Sequence, residues 1–310
     1  MGHHDHDDPR GRHQHGPLVT AGTDRRLLAW ALALILAFMA VEVVIGFAAG
    51  SLALLSDAAH MLTDAASIAL ALLAMRLAAR PPRGGYTYGL KRAEILSAQA
   101  NGLTLLLLAG WLGVEAVLRL WEPAEVAGAA VLWTALAGIV VNLVATVLIG
   151  RANRRSLNIE GAYQHILTDL AAFIATAVAG AVILLTGFVQ ADTIASLVVV
   201  ALMLKAGLAL LRDSGRVLLE RAPAGLEPAG INARMRTVDG VVDVHDLHVW
   251  EITSGEPALS AHVLVRPGVD CHGARLAIEA VLLEGYRLTH TTLQVDHAGP
   301  EILPIGRTGP

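Results

Sequence analysis

Two nearly identical pentapeptides, His-Met-Leu-Thr-Asp and His-Ile-Leu-Thr-Asp, occur in two apolar parts of the chain. They contain the pair His60 and Asp64 and the pair His165 and Asp169. Residues four apart on an α-helix lie one above the other on the same face. Two facing helices would therefore present two imidazoles and two carboxylates to the space between them.

Side chains of these types are typical of a metal site. Two imidazoles and two carboxylates make four ligands, the number that a tetrahedral Zn²⁺ takes. The set contains no sulfur, which disfavours Cu(I), and its imidazoles disfavour Mg²⁺ and Ca²⁺, since these ions prefer oxygen. The pattern favours Zn²⁺, with Co²⁺, Cd²⁺, Fe²⁺ and Ni²⁺ as alternatives. Because the ligands lose protons when they bind metal, we expect binding to release protons.

A further carboxylate, Asp57, shares the polar face of the first pentapeptide, about one turn from His60. It is a candidate for a proton relay or a metal exit, and the absence of either role is an equal alternative. For the pentapeptides, the alternative to a metal site is a structural hydrogen bond between helices. That bond needs one histidine and one aspartate, whereas the chain has two of each at the same spacing.

Six apolar stretches carry these residues and are each long enough to cross a hydrocarbon layer. The 310-residue chain is 55% hydrophobic and only 16% charged, and its mean hydropathy is +0.56. A carboxylate inside a membrane span is costly unless it faces an internal cavity, so it usually marks a transport pathway or a relay. A span takes about 20 residues, which predicts helices over roughly 27–49, 52–75, 94–118, 126–149, 159–186 and 193–211.

Composition excludes several functional classes. A net charge of −4 gives no electrostatic basis for binding nucleic acid, and a single cysteine excludes a disulfide framework. An aromatic content of 4% disfavours an exporter of organic cations. An intramembrane metallohydrolase is the alternative of another class, because zinc with an open coordination position activates water. Four ligands would saturate the ion, so we expect a transporter and not an enzyme.

Basic residues indicate the orientation of the spans. Almost all the Lys and Arg residues that flank the spans lie on one side, and Arg119 lies on the other. By the positive-inside rule, this distribution predicts a multi-pass protein in contact with lipid, in the inner cell membrane, with both termini in the cytoplasm.

A change in composition divides the chain after the spans. The pattern there predicts a small α+β domain with the order helix, strand, strand, helix, strand. The His-rich N-terminus is either a disordered tail or a loose metal-collecting one. The predicted divisions are a His-rich tail (1–26), a six-helix membrane domain (27–211), a linker (212–221), a cytoplasmic domain for metal binding and dimerisation (222–300) and a tail (301–310).

The sequence resembles the cation diffusion facilitators, a family of exporters for zinc and related divalent metals. The resemblance is carried by Ser51–Asp64, by Tyr88–Leu96 at the start of the third span, by His165–Asp169 and by His245–Trp250. It implies a homodimer, a ferredoxin-like cytoplasmic domain, alternating access and proton antiport. It also assigns the transport ligands to both pentapeptides, in the His-containing form that is associated with a preference for zinc.

The resemblance implies further metal in the cytoplasmic domain, where Zn²⁺ would act as a regulatory ligand. Gln294 stands where some relatives have a further histidine, which leaves a complete second site there open. The resemblance also implies an ion pair between Arg92 and Glu220, for which a solvated surface pair is the alternative. The candidate cytoplasmic ligands are His245, His248, His262, His272 and Asp296, with His290 and His297 as additions.

Overall fold

The structure, a computed structural model, describes residues 18–49, 52–121, 128–188 and 190–299. Within these ranges, the description of side chains leaves out residues 18–21, 45–49, 52–60, 120 and 128–131. The His-rich tail and the C-terminal tail predicted from the sequence lie outside the described residues, apart from the part of the former that begins α1.

Six long helices make up the first part of the fold. Each has a stretch long and apolar enough to span a membrane, which confirms a multi-pass membrane protein. The helices are α1 (Leu18–Ala49), α2 (Leu52–Ala78), α3 (Ala93–Trp121), α4 (Gly128–Gly150), α5 (Leu157–Thr186) and α6 (Gln190–Leu218).

The loop between α2 and α3 is tightly folded. Pro81 and Pro82 prevent α2 from continuing, since proline lacks a backbone N–H and restricts the residue before it. Gly89 then adopts a φ of +71°, and a Cβ at this position would lie 2.9 Å from the carbonyl oxygen of Arg80. Glycine is therefore required where the loop turns back, and this turn leads directly into the start of α3.

The membrane helices pack as two groups. The larger buried core joins α1, α2, α4 and α5 and includes Ile35, Ile68, Ile149 and Ile166. A second core joins α3 and α6, with part of α5 packed against it, and a Cβ added to Gly207 there would lie 3.0 Å from the carbonyl oxygen of Gly102. Small residues allow such close helix packing within a membrane. Helices α2 and α5, which carry the two pentapeptides, thus lie in the same group.

The C-terminal domain has the predicted order of elements, which confirms the predicted fold class. Strands β1 and β2 are antiparallel neighbours, and β3 lies parallel to β2 at the other edge of the sheet. A buried core including Ile231, Leu259 and Ile278 joins the sheet to both helices. The elements are α7 (Pro228–Met235), β1 (Val241–Thr253), β2 (Glu256–Val265), α8 (Cys271–Tyr286) and β3 (His290–His297).

Helix α6 is longer than the sequence predicts. It continues to Leu218, through most of the segment 212–221 for which the sequence predicts a linker. Hydropathy falls after residue 211 because Arg212, Asp213 and Arg216 are polar, but Ser214 and Val217 on the other face remain buried. An amphipathic helix needs only one apolar face, so the end of the apolar stretch does not mark the end of the helix.

Candidate metal centre

Three of the four pentapeptide ligands lie together between α2 and α5. His165 Nε2 is 3.0 Å from Asp64 Oδ1 and 3.9 Å from Asp169 Oδ2. One potential ligand atom from each of the three residues lies within 4.8 Å of the other two. Among the described residues, this is the only group of three or more His, Cys, Asp or Glu side chains that is so close.

Two carboxylates thus flank one imidazole inside the membrane domain. The side chains of His165 and Asp64 are 1% and 10% exposed, and that of Asp169 is 21% exposed. Within the described part of the chain, His165 Nδ1 and Asp169 Oδ2 are buried without a hydrogen-bond partner. Two negative charges in such surroundings are costly unless protons or a cation compensate them. One nitrogen and two carboxylate oxygens are a ligand set suited to Zn²⁺.

The other two membrane candidates are on α2, but their side chains lie outside the described residues. His60 precedes Asp64 by four residues in this helix, so the backbone places both residues on the same face. Asp57 lies three residues before His60. The fourth ligand and the relay residue therefore stay predictions.

Buried Asn158 fixes the position of α5 against α2. It lies seven residues before His165, on the same face of α5, and its Nδ2 donates to the carbonyl oxygen of Ala71 in α2 at 2.9 Å. Asn158 is fully buried. Asn158 is not among the residues predicted from the sequence, although its seven-residue spacing from His165 was a usable signal.

The loop before α5 is also held by charge. Arg154 Nε donates to Glu160 Oε2 in the first turn of α5 at 2.8 Å. This hydrogen bond raises the pKa of the Arg154 guanidinium above its usual range. The pair holds the loop that precedes α5 against the first turn of this helix.

Three candidates in the C-terminal domain lie on the sheet face opposite its helices. His245 and His262 are register partners on β1 and β2, and their ring centroids are 5.5 Å apart. Asp246, which the sequence analysis missed as a candidate, lies 2.9 Å from His248 Nε2 and 3.7 Å from His262 Nε2. It has a φ of +52° at a shift in the strand register, and its place between two histidines in the sequence was the available signal.

The other candidates of this domain contact different neighbours. The backbone N–H of His272 donates to Asp270 Oδ1 at the start of α8. Asp296 accepts a hydrogen bond from Gln294 at 2.8 Å. His290 stacks edge-on against Tyr88, and His297 contacts the Cys271 sulfur.

The two residues of the implied ion pair are in contact. Arg92 Nη2 lies 3.0 Å from Glu220 Oε1, which links the start of α3 to the segment that follows α6. Their side chains are 40% and 63% exposed, so the pair contributes less than about 1 kcal/mol to stability.

Comparison with known proteins covers almost the whole described chain. Residues 28–219 match the family model of the cation efflux transmembrane domain, and residues 223–298 match that of the cation efflux protein, cytoplasmic domain. A cadmium, cobalt and zinc/H⁺-K⁺ antiporter of Bacillus velezensis is 36% identical, over 89% of this chain and 90% of the relative.

Two further proteins are similar. The zinc transporter ZitB of Escherichia coli is 38% identical, over 88% of this chain and 87% of the relative. The solved metal-bound C-terminal domain of the CzcD transporter from Cuprividus metallidurans is 29% identical, over 23% of this chain and 99% of that one, with a TM-score of 0.22.

Proposed function

The chain belongs to the cation efflux family, and from this premise we propose that it exports Zn²⁺ through the centre formed by Asp64, His165 and Asp169. Members of this family are transporters and not enzymes, which confirms the predicted class and the resemblance to cation diffusion facilitators. The metallohydrolase alternative is therefore set aside.

The observation that carries the proposal is the convergence of two buried ligands, Asp64 and His165, and one partly buried ligand, Asp169, between two membrane helices. Their ligand atoms lie within 4.8 Å of one another, a spacing that one divalent cation can bridge. His60, four residues before Asp64 on α2, is the proposed fourth ligand. The burial of Asp64 and His165 lowers the local dielectric constant, which strengthens their electrostatic attraction to a cation.

Zinc is the preferred substrate in this proposal, and cadmium and cobalt are the alternatives. The mixed nitrogen and oxygen ligands disfavour Mg²⁺ and Ca²⁺. The similar protein of Escherichia coli is named for zinc alone, whereas that of Bacillus velezensis is named for cadmium, cobalt and zinc. Both names are compatible with a site that selects by ligand type.

Proton antiport follows from the same side chains. The imidazole and the carboxylates bind either protons or the metal, so a metal that enters displaces protons and protons that return displace the metal. The two carboxylates also balance the charge of a divalent cation. The name of the Bacillus velezensis relative includes proton antiport, which supports this part of the proposal.

The transport cycle needs access to the centre from each side in turn. The two buried cores, one joining α1, α2, α4 and α5 and the other joining α3 and α6 with part of α5, are the packing surfaces that such a movement would have to rearrange. Asp57 lies closer than His60 to the start of α2, which faces the outer side of the membrane in the proposed orientation. It is the proposed relay or exit residue in this movement.

We place the C-terminal domain and both termini in the cytoplasm, at the inner cell membrane, because basic residues concentrate on that side of the spans. The match to a dimer-domain family model supports a homodimer. The histidines at 245, 248 and 262 would bind zinc as a regulatory ligand, with His272 and Asp296 as the remaining candidates.

Zinc uptake into proteoliposomes under an imposed pH gradient tests the proposal. Asp169→Asn should abolish the zinc flux, because it removes one charged ligand without changing the size of the side chain. Asp213→Asn, a matched change on the exposed part of α6, should retain it. Flux near the wild-type rate in Asp169→Asn would contradict the proposed centre.

A further inference from the structure

The first turn of α5 lacks the local cap that its sequence provides. The first N–H groups of a helix have no partner within the helix, and the residue before the helix usually supplies one. Ser156 occupies this position with φ −70° and ψ 121°, but among the described residues its side chain makes no capping hydrogen bond. Its hydroxyl donates to Glu94 Oε2, in the first turn of α3, at 3.4 Å.

The cap comes from the cytoplasmic domain. The N–H of Leu157 donates to Ser254 Oγ at 3.1 Å, across 97 positions of sequence. Ser254 lies in the short turn between β1 and β2, where Gly255 has a φ of +75° that favours glycine. A hydroxyl of one domain thus accepts a hydrogen bond from one of the N–H groups that have no partner within a helix of the other domain.

The same turn is also bound to the start of α3. Thr253 Oγ1 donates to the carbonyl oxygen of Lys91 at 3.2 Å, and Glu256 forms an ion pair with the Lys91 ammonium group. The turn is therefore bound both to the first residue of α5 and to the loop that leads into α3. We call this set of contacts the inner junction; it consists of Lys91, Glu94, Ser156, Leu157 and the turn 253–256.

The inner junction lies at the end of the helix that carries two metal ligands. His165 follows Leu157 by eight residues, or about 12 Å along the axis. Asn158, the residue after Leu157, donates a hydrogen bond to the carbonyl oxygen of Ala71 in α2, the helix that carries Asp64. A displacement of α5 at this end therefore changes the alignment of His165 with Asp64, and a misplacement of about 1 Å is enough to impair a reactive site.

We propose that Ser254 is a positioning residue for transport, which caps α5 and holds it in register with α2. This inference rests on the proposed function of the membrane centre. It also defines a route for regulation, because His245 and His262 face each other on the two strands that lead into the turn. A change in the twist of these strands would move Ser254 and, through its hydrogen bond with the N–H of Leu157, the start of α5.

Zinc flux of the full-length protein in proteoliposomes tests the role of the Ser254 hydroxyl. Ser254→Ala should lower the maximal flux roughly 3- to 10-fold, as expected for loss of a cap that aligns a site, with the half-saturating zinc concentration unchanged. Ser254→Thr retains the hydroxyl and should restore the flux. Ser260→Ala, on β2 of the same hairpin, is the matched control and should transport like the wild type.

Hydrogen exchange of the same full-length variants provides a second readout. Exchange in the first turn of α5 should be faster in Ser254→Ala, because the N–H of Leu157 loses its acceptor. Wild-type flux in Ser254→Ala, an equal loss in Ser254→Thr, or unchanged exchange at this turn would each overturn the inference. Failure of the proposed function is distinguishable, since it would appear as flux insensitive to Asp169→Asn.

Discussion

Asp64→Asn separates the charge of a metal ligand from its shape. Asp64 Oδ1 lies 3.0 Å from His165 Nε2, and an asparagine fills the same buried space without the negative charge. At an effective dielectric constant of about 20, two unit charges about 4 Å apart interact by about 4 kcal/mol, which corresponds to about 1,000-fold in Kd. The amide oxygen restores part of this loss, so we expect zinc to bind at least roughly 100-fold more weakly.

The binding assay must report the membrane centre alone. Competition with a chromophoric chelator, on full-length protein in detergent, measures the Kd for zinc. The assay uses a background that lacks the His-rich residues 1–17 and carries His245→Ala, His248→Ala and His262→Ala, so that neither the tail nor the histidine cluster of the C-terminal domain contributes. Asp213→Asn is the control, because its carboxylate is paired with Arg212 at 3.3 Å on an exposed surface. A Kd for Asp64→Asn within about threefold of the parent would refute the reasoning, since one charge would then contribute less than about 1 kcal/mol.

Two further outcomes are expected. The half-saturating zinc concentration should rise as the pH of the loading side falls through the range in which histidine titrates, because protons compete for the ligand atoms; the same half-saturating concentration at pH 5.5 and 7.5 would contradict this. The isolated C-terminal domain, residues 222–310, should dimerise, and it should melt at a higher temperature with excess zinc, because a ligand that binds only the folded form stabilises it. The variant His245→Ala/His262→Ala should lose this increase. An equal melting temperature of the unmutated domain with and without zinc would mean that these histidines are ordinary surface residues.

The membrane helices could be predicted from sequence because lipid requires a long apolar stretch for each span. Two such stretches each carry a histidine and an aspartate four residues apart, and this repeated spacing indicates the centre. The sequence does not show the distances between the ligand atoms. Asp64 approaches His165 to 3.0 Å and Asp169 only to 3.9 Å, and this difference depends on how α2 packs against α5.

In the C-terminal domain, His262 lies on β2 between buried neighbours, and the apolar alternation of this strand is visible in the sequence. The alternation of buried and exposed side chains breaks at Asp246, because the strand register shifts between His245 and His248. A bulge of this kind re-aims a side chain without leaving a periodic signal. The sequence places Asp246 between two histidines but does not show that the register shift brings its carboxylate close to His262 on the neighbouring strand.

Ser254 shows a different limit. A serine beside a glycine in a hairpin turn is ordinary, and nothing near it in sequence indicates a partner 97 positions away. The local pattern even points elsewhere, because Ser156 is a suitable cap for α5 by type and position. Only the packing of the two domains shows which of the two serines accepts the bond.

The inner junction lies at the start of α5, and the ligands His165 and Asp169 lie about two to three turns further along the helix, so mutations at the two places should have different effects. A change at Asp64, His165 or Asp169 alters atoms that would contact the metal, so it changes the affinity. A change at Ser254 leaves those atoms in place and alters how often α5 aligns them, so it changes the maximal rate. The distinction requires that α5 move as one rigid helix between Leu157 and Asp169, and the α-helical hydrogen bonds along this segment provide that rigidity.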